Sequence, residues 1–434
     1  MTRRLPQVAG VALVATVLAL AGTPRPAASQ GAGVVNCDKC HGNRDFIDRR
    51  RDRRRADTLM YVPRSALEQT AHQTLQCARC HEQYDDGYPH DARARVVPCQ
   101  SCHEQAGLDW EASVHKANAT TRGDAPQCTG CHGTHQVYPT SDRRSSTHPL
   151  NVAETCGRCH ADERIIGTYF STADKATAST AVAKYYETVH GHALTSAGLT
   201  VSATCNDCHR SHKVLPSDSL SSSIHRDSIP ATCGQCHEGV VEIYDRSAHG
   251  SALVRGDTTV TGHRAPSCVD CHSGHGMVRA DEPSWHTGAV EECGTCHEEL
   301  YESYFDTYHG KVTRLGSDLA ATCADCHSAH DMRPATDTAS TVHPRNVVAT
   351  CQPCHEGAGA GFVQFQTHAD PRDREKNPQL HFTWLFMNAL LIGVLGFFAI
   401  HTTLWLARVT IDYRRALRGG GSPPAHGGGS EGDA

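Results

Sequence analysis

The sequence predicts a mainly α protein with little regular structure, in which short helices are joined by long loops and one transmembrane helix lies near the C-terminus. Three observations predict this. Of 434 residues only 6% are aromatic and 38% apolar, too few large side chains for conventional cores in a chain of this length. Against that poverty stand 22 cysteines and 31 histidines, far above ordinary usage. From Phe382 to Ala407 no Asp, Glu, Lys or Arg interrupts a run long enough to cross a bilayer as a helix. The formal charge of −6 is mild and gives no reason to expect a nucleic-acid partner.

The ends of the chain agree on an orientation. Arg3 and Arg4 precede the apolar run Val8 to Ala21 and the small residues Ala27, Ala28 and Ser29. That is the layout of a secretory signal over residues 1–30, with an uncleaved N-terminal anchor as the competing reading; either exports the large domain. Arg408, Arg414, Arg415 and Arg418 come after the span at 382–407. The positive-inside rule then leaves 408–434, a basic and Gly-rich tail, in the cytoplasm and residues 31–379 outside. The expected place is the cytoplasmic membrane, crossed once, with the large domain on the periplasmic side.

Every cysteine belongs to a C-x-x-C-H motif. The motifs are Cys37, Cys40 and His41; Cys77, Cys80 and His81; Cys99, Cys102 and His103; Cys128, Cys131 and His132; Cys156, Cys159 and His160; Cys205, Cys208 and His209; Cys233, Cys236 and His237; Cys268, Cys271 and His272; Cys293, Cys296 and His297; Cys323, Cys326 and His327; and Cys351, Cys354 and His355. This is the attachment signature of haem c: two thiols add to the two vinyl groups, and the adjacent His falls under the iron as proximal ligand. A disulfide framework does not require a His after each second Cys, and zinc half-sites would not repeat that His without exception. Eleven covalent haems are expected. At about 31 residues per haem between Gly31 and Gln379, the closely packed haems are the core and the polypeptide wraps them.

The remaining histidines repeat in register. An aromatic residue stands five positions before a His in Trp110/His115, Tyr185/His190, Tyr244/His249 and Tyr304/His309. A C-x-x-C-H-x-x-H ends on His135, His212, His275 and His330. A lone His, at 148, 225, 286 and 343, precedes the second motif of each unit. Four units result, at about 105–165, 180–240, 243–300 and 303–358, with His72, His90 and His368 as partial copies. All fifteen are distal-ligand candidates, more than eleven irons require; His192 and His263 fit no column and are expected at the surface or on propionates. Five Met residues cannot supply many Met/His irons, so bis-His haems are the economical reading. Met277 and Met332 share a column with Val137 and Val214, an apolar packing slot rather than a ligand set. The aromatic column reads as haem packing rather than catalysis. Arg44 to Asp57, with seven Arg among four Asp, reads as a solvated helix, or else as a docking surface or propionate clamp.

The C-x-x-C-H-x-x-H elements, Tyr244…His249-Gly250, Tyr304…His309-Gly310, and the His-Pro-x-Asn runs at 148–151 and 343–346 resemble the doubled-C-x-x-C-H multihaem cytochromes. With its C-terminal helix and the stretch Ile400-His401 to Trp405, the chain is similar to the membrane-anchored c-type subunits of bacterial cytochrome b/c quinone oxidoreductase complexes. The resemblance implies a cytochrome b or quinone-reactive membrane partner and periplasmic electron carriers. The expected function is electron transfer along bis-His haems, with no catalytic residue assigned. The alternative is a multihaem reductase or oxidase of nitrite, hydroxylamine or sulfur oxyanions, which needs one open iron; a storage or sensing cytochrome is a third class. For His401, inside the apolar span, three roles stand open: ligand to a haem b shared with the partner, contact across a helix interface, or a place at the cytoplasmic boundary.

Overall fold

The computed structural model describes residues 36–50, 61–82, 96–122, 125–170, 172–258 and 262–419. The expected secretory signal, His90, His426, the tail beyond 419 and residues 51–57 of the Arg-rich segment fall outside these residues. Of that segment, Arg44–Arg50 is described and is helical, with Arg44 and Asp48 paired one turn apart at 3.9 Å. Contacts divide the chain into two compact bodies, one of residues 1–108 with 128–145, the other of 109–127 with 146–434.

Among the described residues there is no strand, only an isolated bridge between Thr258 and Arg264. Short helices carry the motifs. The first motif of each repeat is itself a five-residue helix: Cys128–His132, Cys205–His209, Cys268–His272 and Cys323–His327. A five-residue helix has no propagation to stabilise it, so its ends decide whether it forms. In the last three, a Ser or Thr just before the first cysteine (Thr204, Ser267, Thr322) and an Asp three positions on (Asp207, Asp270, Asp325) close a capping box. At the other end the residue after the motif His takes a positive φ: Arg210 at 67°, Ser273 at 62° and Ser328 at 67°. With ψ of 162°, 149° and 156°, these three sit where glycine alone is comfortable. The first repeat has Gly133 at this register, φ 78°. Ser328→Gly is therefore expected to stabilise the protein by about 1 kcal/mol in a denaturant titration, relief of backbone strain outweighing the added chain entropy.

Apolar burial is sparse. Among the described residues Val152, Ile166, Leu194, Ile229, Leu253 and Val290 are the larger aliphatic side chains that are buried, and buried hydroxyls outnumber them, among them Ser113, Ser145, Thr188, Ser222, Ser247, Thr322 and Ser340. Hydroxyls elsewhere in the repeats are occupied by backbone. Thr155, Thr232 and Thr350, each just before a second-motif cysteine, donate to the carbonyl nine residues upstream at 2.7 Å. Small helices held by hydroxyl caps, not a layered apolar core, define this fold.

The apolar span forms a helix longer than its charge-free run. Pro378–Arg418 is one 41-residue helix, about 60 Å at 1.5 Å per residue. It starts at Pro378, which needs no N–H partner in a first turn, and continues past Ala407 because Asp412 lies between Arg408 and Arg415, at 3.9 and 3.8 Å. It is long and apolar enough to cross a membrane.

Candidate functional site: a series of facing imidazoles

In the C-terminal body all seven motif histidines face a second imidazole. His160 faces His115 with ring centres 6.4 Å apart, His237 faces His190 at 6.2 Å, His297 faces His249 at 6.1 Å and His355 faces His309 at 6.0 Å; these partners come from the same repeat. His209 faces His275 at 5.9 Å and His272 faces His330 at 6.0 Å, partners from the following repeat, while His327 faces His368 at 6.2 Å. In the N-terminal body His103 faces His72 at 6.0 Å and His81 faces His135 at 6.2 Å. Two imidazoles bound end-on to one metal through bonds of about 2 Å have ring centres roughly 6 Å apart. The spacing is too wide for ring stacking in van der Waals contact and right for an iron between the rings. The residues present therefore fit haem.

Ionisation suits the same purpose, since a ring must be neutral to offer a lone pair. Burial, and then the nearby His275 ring, pulls His209 down to about 4. Burial is also the first cause that lowers His81, His115, His135, His160, His190, His249, His272, His275, His309, His327, His330 and His368.

The cysteines follow chain order. First cysteines of consecutive motifs lie close enough to act on one another's ionisation: Cys37 and Cys77, and Cys99 and Cys128, in one body, Cys156 and Cys205, Cys233 and Cys268, and Cys293 and Cys323 in the other. Attachment points for successive haems thus lie side by side.

Residues 49–160, which take in four of the C-x-x-C-H motifs, match the class III cytochrome c family. The chain is a multihaem c-type cytochrome. Comparison with curated proteins and with solved structures gave no match. Haem supplies the one-electron chemistry by which such proteins transfer electrons. The cytochrome's own residues hold, orient and shield it.

One column of histidines departs from the sequence expectation. His148, His225, His286 and His343 face no other imidazole among the described residues. Three accept a backbone N–H two residues on: Nδ1 of His148 from Leu150 at 3.2 Å and that of His225 from Asp227 at 3.3 Å, each at a helix N-cap, and that of His343 from Arg345 at 3.1 Å in the turn before Val347–Cys351. A neutral imidazole that accepts at Nδ1 carries its proton on Nε2 and has no second lone pair for iron. In the third repeat His286 lies within the helix Pro283–Gly294 and its Nε2 meets Asp325 at 3.1 Å. These four belong to the scaffold of the cytochrome. His41 and His132 close the helices Asp38–His41 and Cys128–His132, and His212 follows the positive-φ Arg210. His192 and His263 are exposed. His381 lies against the Pro371 carbonyl at 3.0 Å, and the Phe397 ring lies nearly parallel to that of His401 with centres 6.3 Å apart.

The aromatic column does more than pack. Tyr185 donates its hydroxyl to the Ala203 carbonyl at 3.0 Å, Tyr304 to Ala321 at 3.0 Å and Tyr244 to Pro266 at 2.5 Å, while the Trp110 indole N–H reaches Pro126 at 3.4 Å. Each acceptor stands two residues before the first cysteine of a motif. The tyrosine carbonyl at the same time presses on the glycine after the facing His: an added Cβ on Gly191, Gly250 or Gly310 would lie 2.1 to 2.2 Å from that oxygen. The hydroxyls of Thr188, Ser247 and Thr307 cap these glycines at 3.0 to 3.1 Å. One aromatic residue thus ties a motif's entrance to the helix bearing an imidazole for the next motif. The Met277 and Met332 column serves through its backbone. The carbonyls of Val137, Val214, Met277 and Met332 accept from the N–H of Ala71, Val114, Val189 and Ala248, each the residue directly before a facing His.

Proposed function

We propose that the cytochrome carries electrons along eleven bis-His haems between a membrane quinone or cytochrome b partner and periplasmic redox partners. The observation that carries this reading is that each of the seven motif histidines in the C-terminal body has a second imidazole at iron-bridging distance. A six-coordinate iron has no place for substrate, so it changes its charge and nothing else. Ligand helices fixed by caps keep the rings in place in both oxidation states. The apolar helix Pro378–Arg418 supports a membrane anchor, and the arginines after it support a periplasmic haem domain. The helix also provides the contact with the partner, near which His401 is the residue suited to a shared haem b or an interhelical hydrogen bond.

A reductase of nitrite, hydroxylamine or sulfur oxyanions would need an iron open on one side, and in the C-terminal body every motif His is faced. Pyridine haemochrome assay is expected to give eleven haems per chain, and carbon monoxide is expected to leave the reduced spectrum unchanged. Clearly fewer haems would refute the count; a carbon monoxide adduct on the wild-type protein would favour the enzyme. Gentle detergent extraction should bring down a b-type cytochrome, with quinol reducing the haems. Extraction of the chain alone, with no quinol reduction in intact membranes, would sever the proposed link to the quinone pool.

A further inference from the structure

The facing imidazoles meet at two kinds of angle. Where the second ring comes from the loop after a motif (His135, His275 and His330), the planes lie 25°, 1° and 24° apart. Where it follows the aromatic landmark or its partial copy (His72, His115, His190, His249 and His309), the angles are 61°, 70°, 45°, 34° and 41°. The mutual angle of two axial imidazoles sets how the iron d orbitals split. It therefore governs the g anisotropy of the ferric low-spin haem and contributes to its potential. An imidazole can turn about its metal bond unless a neighbour fixes the plane.

At His272 the neighbour is an indole. Trp285 stacks on the His272 ring with centres 4.8 Å apart and planes 8° apart, inside the range of offset aromatic stacking. Elsewhere the same column, directly before the lone His, holds Thr147, Ile224 and Val342, so only this repeat places an aromatic side chain there. By contrast Phe362, 4.9 Å from His355, is tilted 45° and shares no plane with it. Trp285 stands in the helix Pro283–Gly294, which runs directly into Cys293 of the next motif. The stack thus joins the axial ring of one haem to the attachment helix of its successor. This is also the repeat in which Glu292 occupies the Thr column, directly before the second-motif cysteine, so the hydroxyl tie of the other repeats is replaced.

We propose that Trp285 is a positioning residue for electron transfer at the haem of Cys268 and Cys271: it holds the His272 plane near that of His330 and so fixes the electronic character and potential of this one haem. The proposal rests on the reading that His272 and His330 ligate the same iron.

The test uses the full-length protein in detergent and three variants. Trp285→Leu is expected to keep eleven haems, all low-spin. In electron paramagnetic resonance of the oxidised protein, one haem's intensity should move from the less to the more anisotropic low-spin signal. One component of the spectroelectrochemical titration should shift with it. Trp285→Phe, which keeps a smaller ring, should fall between wild type and Trp285→Leu, and it is the variant to read if Trp285→Leu loses haem. His330→Ala should give one high-spin haem. If the tryptophan variants leave both g values and titration unchanged while His330→Ala does open a haem, the proposal is overturned and the ligation reading stands. If His330→Ala opens none, both fall together.

Discussion

Replacing His275 with Ala is expected to open the haem held by Cys205 and Cys208, and to leave that held by Cys268 and Cys271 closed. The His275 ring faces His209 at 5.9 Å with planes 1° apart, although His275 stands three residues after His272 and in the same C-x-x-C-H-x-x-H run. His272 is faced instead by His330. Alanine offers no donor, so on the proposed ligation one iron in eleven becomes high-spin and accepts carbon monoxide or cyanide. Which iron it is can be settled by removing haems one at a time. Adding Cys205→Ser and Cys208→Ser should abolish the new high-spin signal, and adding Cys268→Ser and Cys271→Ser should retain it. The opposite pattern would show that the loop histidine serves its own motif.

The second large effect is expected from a single methyl group. Gly250→Ala would put a Cβ 2.2 Å from the Tyr244 carbonyl oxygen and 2.8 Å from the Asp245 Cα, both backbone atoms with little freedom to move. The turn between Tyr244 and the helix Ala248–Arg255 must open, moving His249 away from His297 and disturbing the Ser247 cap. Overpacking against backbone costs about 2 to 3 kcal/mol. A lower unfolding midpoint should therefore accompany a high-spin fraction at the haem of Cys293 and Cys296. Gly239→Ala is the matched control. That residue lies in the helix Glu238–Asp245, no atom stands within 4 Å of its added Cβ, and alanine should stabilise the helix by about 0.5 to 1 kcal/mol. Equal behaviour of the two variants would remove the argument that this glycine is required by close approach.

Much of this architecture was legible in the residues, because covalent attachment demands a fixed spacing that loops cannot blur. The cysteine columns, the mainly helical fold and the apolar C-terminal helix come from that and from composition. The pairing of His209 with His275 was not legible, since an imidazole that comes from the next repeat leaves no short-range signature. The contacts of the lone histidines were not legible either: similar spacing before the second motif serves His148, His225 and His343, whose Nδ1 atoms accept backbone N–H groups, and His286, whose Nε2 meets Asp325. The tyrosine clamp was hidden because the loop between donor and acceptor varies: Tyr185 precedes Cys205, and Tyr244 precedes Cys268, by different lengths of chain. A signal for the short motif helices was present in Thr204/Asp207, Ser267/Asp270 and Thr322/Asp325, whose capping-box spacing spells out a helix start.

The borrowing of imidazoles between repeats also limits how such a chain can grow. A repeat in the C-terminal body lends one ring backwards and receives one from ahead, His275 to His209 and His330 to His272, until His368 completes the last pair at His327. Excising a whole repeat in register lets the next lender step into the gap, and duplicating one inserts a lender together with its borrower. On the proposed ligation, a cut at mid-repeat strands an iron on one side and a spare ring on the other. Lengthening or shortening of this wire by recombination is therefore confined to whole repeats, and a terminal ring after the final motif is required at whatever length the wire ends.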